Sequence, residues 1–320
     1  MRILPGARFL LAFALIAVPA SGGAQNWPER PVRLIIPLGA GSATDIVGRL
    51  YADRLSKRWG QPVVVENRPG GDLMIGVAGF TEARDNHTLL LSVAAPITVN
   101  PLTHEKLPYD PSDLLPISQA SEVFVGIAVP RSLQADTLDQ LVSLARLQPG
   151  KLSWAATPGG TYLTFAGFQN QAGLSALNVP YRDIVQAQND LSEARIDIMM
   201  CAISIVLPSV QAGKVKLLAV SNRQRAAIAP ETPTVDEAGY PALALDGLVG
   251  FFGRRGMTNE LRERISADIQ AVAADPSLAN RLAGTGQALR ASTPVEFAAM
   301  VEKQRIGFAE IARAIGVKPQ

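Results

Sequence analysis

A glycine-containing turn between an apolar run and a helix cap is the part of this sequence best suited to hold an anion. Val32–Ile36 is mostly apolar, and the turn Gly39–Thr44 follows it closely. Ser42 and Asp45 have the spacing of a capping box, and apolar residues then recur at helical intervals as far as Gly60. Because the first amides of a helix lack intrahelical partners and carry partial positive charge, such a turn can receive a carboxylate on backbone donors. The alternative is a turn that only changes the direction of the chain.

Few other residues have the types and spacing that metal or nucleophilic chemistry requires. His87 and His104 are the only histidines, and neither has a Cys, His or Glu at metal-ligand spacing. Cys201 is the only cysteine, so no intrachain disulfide can form. The sequence also lacks a G-x-S-x-G elbow, a Walker lysine and an H-E-x-x-H helix. These absences predict no metal site and argue against an enzyme.

The amino-terminal residues have the pattern of a secretory signal peptide. Arg2 and Arg8 precede the apolar segment Phe9–Val18, and small residues continue to Ala24, so we expect a leader at 1–24 and a mature chain from Gln25. An uncleaved anchor is the alternative, although the apolar segment is short for a membrane span. Removing the leader takes two arginines and no acids, which leaves equal numbers of basic and acidic residues. We therefore expect an exported protein without the excess of positive charge that attracts nucleic acid.

The elements that must position the turn alternate between strands and helices. Up to residue 93 the pattern is β-α-β-α-β, which predicts a mostly parallel sheet with ligands outside the carboxyl ends of its strands. A second alternating series starts near Val123 and includes a glycine turn at 157–161. Val123–Val129 and Leu243–Phe252 each read as an apolar strand crossing between two units. Two crossings of this kind would form a hinge.

Ordered motifs along the whole mature chain carry a family resemblance. Besides the first turn they are Trp27–Pro31, Gln61–Gly70, Leu107–Pro111, Gln148–Leu152, Val179–Tyr181, Leu207–Pro208 with Gly213–Lys214, Pro233–Tyr240 and Thr293–Phe297. With these motifs the chain resembles the solute receptors of tripartite tricarboxylate transporters, the Bug family of periplasmic binding proteins.

The resemblance implies an α/β fold of the type II periplasmic binding protein class, a two-lobed Venus flytrap. Lobe 1 would comprise residues 25–124 and 247–320, and lobe 2 residues 125–246. The monomer would close on a small organic carboxylate and deliver it to membrane permease subunits in the periplasm, with no cofactor and no catalysis. The resemblance implies that the ligand-binding positions are Gly39, Ala40, Gly41, Ser42, Ala43, Thr44, Asp72, Ala94, Ala95, Thr157, Gly160 and Thr161. We add Tyr162 and Cys201 from this chain's own sequence.

Several positions depart from the family pattern, and they bear on the ligand. Asp72 adds a negative charge to a turn expected to meet an anion, so it points away, binds an amino group of the ligand or tunes the site against certain acids. Cys201 stands where many relatives carry an acid, and it either packs in the core or lines an unusually apolar cleft. We expect Tyr162 at the rim of the site and Tyr181 in the core.

Two other functions compete with transport. A receptor that presents its ligand to a membrane sensor kinase would use the same fold. A Rossmann-type oxidoreductase would use Gly39 and Gly41 for a dinucleotide and Glu66 for its ribose, although Thr44 stands where that motif has its third glycine.

Overall fold

A computed structural model describes residues 27–181 and 183–319 of the chain. The predicted leader at 1–24 therefore lies outside the described residues. In chain order the strands are β1 (Val32–Ile36), β2 (Val63–Asn67), β3 (Thr88–Val93), β4 (Leu114–Val123), β5 (Val125–Pro130), β6 (Ser153–Ala156), β7 (Leu177–Asn178), β8 (Ile198–Ala202), β9 (Val215–Val220), β10 (Gly247–Arg254) and β11 (Gln287–Leu289).

Helices separate most of these strands. They are α1 (Ala43–Trp59), α2 (Met74–Glu82), α3 (Ala95–Thr98), α4 (Asn100–Thr103), α5 (Leu138–Leu147), α6 (Gly160–Ala172), α7 (Ile184–Ser192), α8 (Ile203–Gln211), α9 (Asn259–Ala273), α10 (Pro276–Ala283) and α11 (Pro294–Ala314). No helix in the part of the chain that the structure describes is long and apolar enough to cross a membrane.

The strands form two sheets. The six-stranded sheet has the order β11-β4-β10-β3-β1-β2, and we call it and its helices lobe 1. The five-stranded sheet has the order β7-β6-β8-β5-β9 and belongs to lobe 2. The chain enters lobe 2 through β5 and returns to lobe 1 through β10. Strand β5 is antiparallel to β8 and β9, and β10 is antiparallel to β3 and β4. The two-lobed α/β fold is confirmed, and each sheet is mixed because these crossing strands run against their neighbours.

The chain changes sheets at a single residue. Phe124 separates β4 from β5, so the apolar segment predicted as one strand from Val123 is two strands in two sheets. Phe124 donates its amide to Gly286 in lobe 1 and accepts from the Ile203 amide in lobe 2. The second crossing enters β10 at Gly247, after a short 3-10 turn at Pro241–Leu243. The proposed lobe limits at 124/125 and 246/247 remain predictions about where the two units divide.

Helix α11 packs on both lobes. It begins at a capping box, in which Thr293 caps the amide of Glu296 and the Glu296 carboxylate accepts from Thr293. Phe297 belongs to the core of lobe 1, whereas Phe308 is buried in the core of lobe 2. The carboxyl end of α11 therefore reaches across the boundary between the sheets.

Candidate functional site

A cleft lies between the lobes where turns of both sheets meet. Its volume is about 1090 Å³, and a smaller cavity of about 200 Å³ adjoins it. Of the predicted ligand-binding residues, the larger cleft is lined by Ser42, Ala43, Thr44, Asp72, Ala95, Thr157 and Tyr162. The smaller cavity is lined by Ala94, Ala95, Thr157, Gly160 and Thr161. The structure thus brings most of the predicted turns together.

The start of α1 forms one wall of the cleft, and side chains of α1 and its cap accept hydrogen bonds from some of the backbone amides there. Ser42 caps the helix by accepting from the Asp45 amide at 3.2 Å. The buried Asp45 carboxylate accepts from the Gly41 amide at 2.9 Å and from the Asn67 side chain at 2.9 Å, and it pairs with Arg49 at 3.0 Å. Gly39, Ala40 and Gly41 do not line the cleft.

The ionisation of Asp45 follows from these contacts. Burial alone would raise the pKa of this carboxyl, but the hydrogen bonds from Arg49, Gly41 and Asn67 hold it below the usual value of 3.8. The turn before α1 therefore already binds one anion, the Asp45 carboxylate, through the Gly41 amide. Ala43 and Thr44 line the cleft. Their amides have no intrahelical acceptors, because they lie in the first turn of the helix.

The start of α6 forms the opposite wall, and no side chain caps it. Gly159 precedes the helix with a φ of 94°, a conformation that glycine adopts at little cost. Thr161 donates its hydroxyl to the Thr157 carbonyl, and the two threonine hydroxyls lie 2.6 Å apart. The first amides of this 13-residue helix are consequently open to a ligand.

An unusual loop of lobe 1 borders the cleft between β2 and α2. The four residues from Gly70 to Leu73 all have positive φ, and Asp72 and Leu73 adopt it at 49° and 75° without being glycine. The buried side chain of Asn100 donates to the Asp72 carbonyl at 2.9 Å and to the Tyr109 hydroxyl at 3.2 Å. Sequence reasoning missed Asn100, because a polar residue in an apolar run gives no indication of its distant partner.

Tyr162 lines the cleft, whereas Tyr181 is half-buried outside it. Tyr162 stays 37% exposed at the cleft and stacks on Trp154, with ring centroids 5.4 Å apart. Tyr181 packs against the core of lobe 2 and donates its hydroxyl to Asp190 at 2.8 Å.

Cys201 is not placed to line an apolar cleft. Its side chain is wholly buried beneath α7 and α8, in a core cluster with Leu191 and Val206, and burial raises the pKa of the thiol to about 12. Successive residues of a strand point to opposite faces, and the next residue, Ala202, is the one at the cleft. The hypothesis that Cys201 shapes the ligand site is therefore corrected to a packing role.

Much of the cleft is apolar, and part of its lining comes from segments that sequence reasoning did not include. Leu38, Leu73 and Val93 lie in turns that were expected at this edge of the sheet. The residues outside the expected segments are Val99, Val123, Leu163, Ala166 and, near the end of the described chain, Ile315–Lys318. The contribution of Ile315–Lys318 has no local signal, because it depends on how α11 packs across the lobes. Among residues 27–181 and 183–319, no group of three or more His, Cys, Asp or Glu side chains could hold a metal ion.

Comparisons with known proteins agree on one family. A family model described as "Tripartite tricarboxylate transporter family receptor" matches residues 47–316. A UPF0065 protein of Bordetella bronchiseptica is 32% identical over 317 residues, which cover 97% of this chain and 93% of the relative.

Solved structures point the same way. An R. palustris protein with adipate is 26% identical, with a TM-score of 0.80 over 92% of this chain and 100% of that one. The periplasmic binding protein BugD is 27% identical, with a TM-score of 0.75 over 92% of this chain and 100% of its own.

Proposed function

This chain belongs to the family of tripartite tricarboxylate transporter receptors, and from that premise we propose that it captures a small organic carboxylate between its two lobes and delivers it to a tripartite tricarboxylate-type membrane permease. The family consists of solute-binding receptors. The proposal therefore assigns the chain no reaction and no cofactor. It places the mature protein in the periplasm as a monomer.

The observation that carries the proposal is the convergence of two helix starts on one cleft. Ser42–Thr44 at the start of α1 and Gly159–Thr161 at the start of α6 face it from opposite lobes. Both ends present backbone amides with partial positive charge, which suits a carboxylate. No arginine lines either cavity within the described residues. We expect the backbone amides of these two helix starts to hold the anion.

The expected strength of binding is ordinary for a receptor. A hydrogen bond to a charged group contributes about 1.5–3 kcal/mol, and micromolar affinity corresponds to about 8 kcal/mol. A few such bonds, with burial of the ligand's apolar body against the valines and leucines of the cleft, would suffice. The adipate-bound relative supports a carboxylate with an apolar body as the ligand.

The mechanism is closure about the crossings. A carboxylate bound at one lobe offers its remaining oxygens to the amides of the other, so the ligand stabilises the closed state more than the open one. The backbone change falls at Phe124 and at the entry to β10, where the two sheets are joined. The permease would recognise the closed form.

Thermal-shift titration of refolded, ligand-free protein tests the proposal, because a ligand that binds only the folded state raises the melting temperature. The panel comprises mono- and dicarboxylates, each beside its uncharged amide, and NAD. We expect a dose-dependent rise with one class of acid and none with the amides. A rise with NAD alone would instead favour the oxidoreductase, and silence from every acid would contradict the receptor.

A further inference from the structure

One acidic side chain stands among the residues that line the larger cleft. Within the described part of the chain it is Asp72, whose side chain is 60% exposed. The basic side chains of the same lining are His104 and Lys318. Asp246 borders the smaller cavity, where it lies 3.6 Å from Arg223. The Asp72 carboxylate would repel an anionic ligand in this cleft, so its presence there requires a physical explanation.

The contacts of Asp72 leave half of its carboxylate free. Its Oδ2 atom lies 3.1 Å from Nε2 of His104, whose Nδ1 atom lies 3.0 Å from the Thr103 hydroxyl. The Oδ1 atom accepts no hydrogen bond from the described residues. The pair with His104 therefore engages one carboxylate oxygen and leaves the other able to accept a hydrogen bond from a ligand.

The backbone holds Asp72 at this position despite strain. Asp72 and Leu73 keep positive φ values that glycine adopts far more readily. The hydrogen bond from Asn100 to the Asp72 carbonyl fixes the loop, and Tyr109 holds Asn100 in turn while donating to the Pro96 carbonyl at 2.9 Å. Strained residues over-determined by their surroundings concentrate at ligand sites. The loop thus holds Asp72 in a defined backbone conformation among the residues that line the cleft.

We propose that Asp72 selects ligands that carry a hydrogen-bond donor, an ammonium or a hydroxyl group, in addition to the carboxylate held by the helix starts. This inference rests on the proposed function and names its substrate class as amino- and hydroxy-carboxylic acids. A carboxylate only accepts, so a donor gains a charge-assisted bond at Oδ1. A second ligand carboxylate at the same place would meet a like charge in a partly enclosed site, where charges interact more strongly than in water.

Matched acids test this inference by isothermal titration of the ligand-free protein. One triad is succinate, malate and aspartate, and the other is butanoate, 3-hydroxybutanoate and 3-aminobutanoate. In at least one triad we expect a donor-bearing acid to bind about tenfold more tightly than its unsubstituted parent. The hydroxyl and ammonium arms distinguish the two kinds of donor.

Two substitutions connect the preference to Asp72. Asp72→Asn removes the charge and Asp72→Gly removes the side chain, and both residues accept positive φ, so the loop can keep its conformation. We expect the preference for an ammonium to disappear in both variants and that for a hydroxyl to disappear with glycine. Asp53→Asn, which removes an exposed carboxylate on α1 of the same lobe, should leave every affinity unchanged.

The outcomes separate this inference from the function on which it rests. If unsubstituted acids bind as tightly as their donor-bearing partners and Asp72→Gly leaves the ranking unchanged, Asp72 does not select the ligand, although the receptor stands. If no acid of either triad or of the wider carboxylate panel binds, the proposed function fails and the inference with it.

Discussion

Asp45 illustrates how a single side chain limits what a helix start can offer. It is 2% exposed, and it takes the Gly41 amide and the Arg49 guanidinium for itself. Any ligand therefore meets the amides that face the cleft and not the whole terminus. The same carboxylate fixes the turn by accepting from Asn67 at the end of β2.

We predict that Asp45→Asn lowers the free energy of unfolding by about 1–3 kcal/mol at pH 7, because it removes charge-assisted hydrogen bonds from a buried group. The pKa of Asp45 is lowered in the folded state, so the stability that it contributes is present above the unfolded value near 3.8 and is lost as the pH falls through the folded value. Urea unfolding at pH 7 and at pH 3 measures this: the gap between the wild type and Asp45→Asn should narrow in acid. A gap of equal size at both pH values would show that the charge is not its source.

Cys201 gives a second prediction at this scale. Because its thiol is fully buried and its pKa is raised to about 12, a thiol reagent should label the native protein only as fast as the protein unfolds. Cys201→Asp should lower the free energy of unfolding by about 3 kcal/mol or more, since it places a carboxylate in an apolar core. Cys201→Ala, the matched truncation, should cost less. Rapid labelling of the folded protein would contradict the buried position.

At the scale of elements, the contact between α6 and α11 depends on the absence of side chains. A Cβ atom on Gly167 would lie 2.7 Å from the Cγ2 atom of Ile311, and one on Gly160 would lie 2.7 Å from the Phe308 ring. Gly307 of α11 has open space around it by the same measure. A side chain would therefore clash at Gly167 of α6 but would fit at Gly307 of α11.

We expect Gly167→Ala and Gly307→Ala to change stability in opposite directions. Alanine is a better helix former than glycine by about 1 kcal/mol, so Gly307→Ala should stabilise the protein. At Gly167 the clash with Ile311 should outweigh that gain and destabilise the protein by about 1 kcal/mol or more. Chemical denaturation of both variants decides the matter. Equal stabilisation at the two sites would mean that α11 does not pack this closely on α6.

Elements with a strong local pattern could be predicted from the sequence. Strand β1 coincides with the apolar run Val32–Ile36, and helix α1 starts after the Ser42 cap and ends before Gly60, as the sequence predicted. A crossing near Phe124 could be predicted, but the division of this apolar run into two strands could not, because an apolar run does not show which sheet each of its residues joins. The contacts of Asn100 and His104 with Asp72 could not be predicted either, since each joins residues about thirty positions apart in the sequence. Cys201 could not be assigned to the core or to the cleft from the sequence, because the face that a strand residue occupies depends on the register of its strand.

At the scale of the whole molecule, one side chain of lobe 2 holds the first crossing between the lobes. The buried Asn222 accepts from the Val125 amide at 2.9 Å, and it donates to the Val123 carbonyl at 3.0 Å and to the Glu122 carboxylate at 2.7 Å. These bonds lie on both sides of Phe124. Closure must therefore preserve them or exchange them.

We predict that Asn222→Ala lowers the free energy of unfolding by about 2–3 kcal/mol, because it leaves buried polar groups of the crossing without partners. It should also change ligand affinity without touching the cleft, through the balance of open and closed states. Urea unfolding and isothermal titration measure the two effects. Asn189→Ala, on an exposed position of α7, is the control. Unchanged affinity in a destabilised Asn222→Ala variant would separate the crossing from closure.

The position of β10 between β3 and β4 also has a consequence for the order in which the lobes fold. All five strands of lobe 2 fall within Val125–Val220, whereas the sheet of lobe 1 cannot be completed until residues 247–254 arrive to join β3 and β4, which were made more than 120 residues earlier. Pairing over such a separation is slow, because the long loop must close before the contacts form. During synthesis or refolding, lobe 2 should therefore form first, and β3 should keep an open edge until β10 pairs with it.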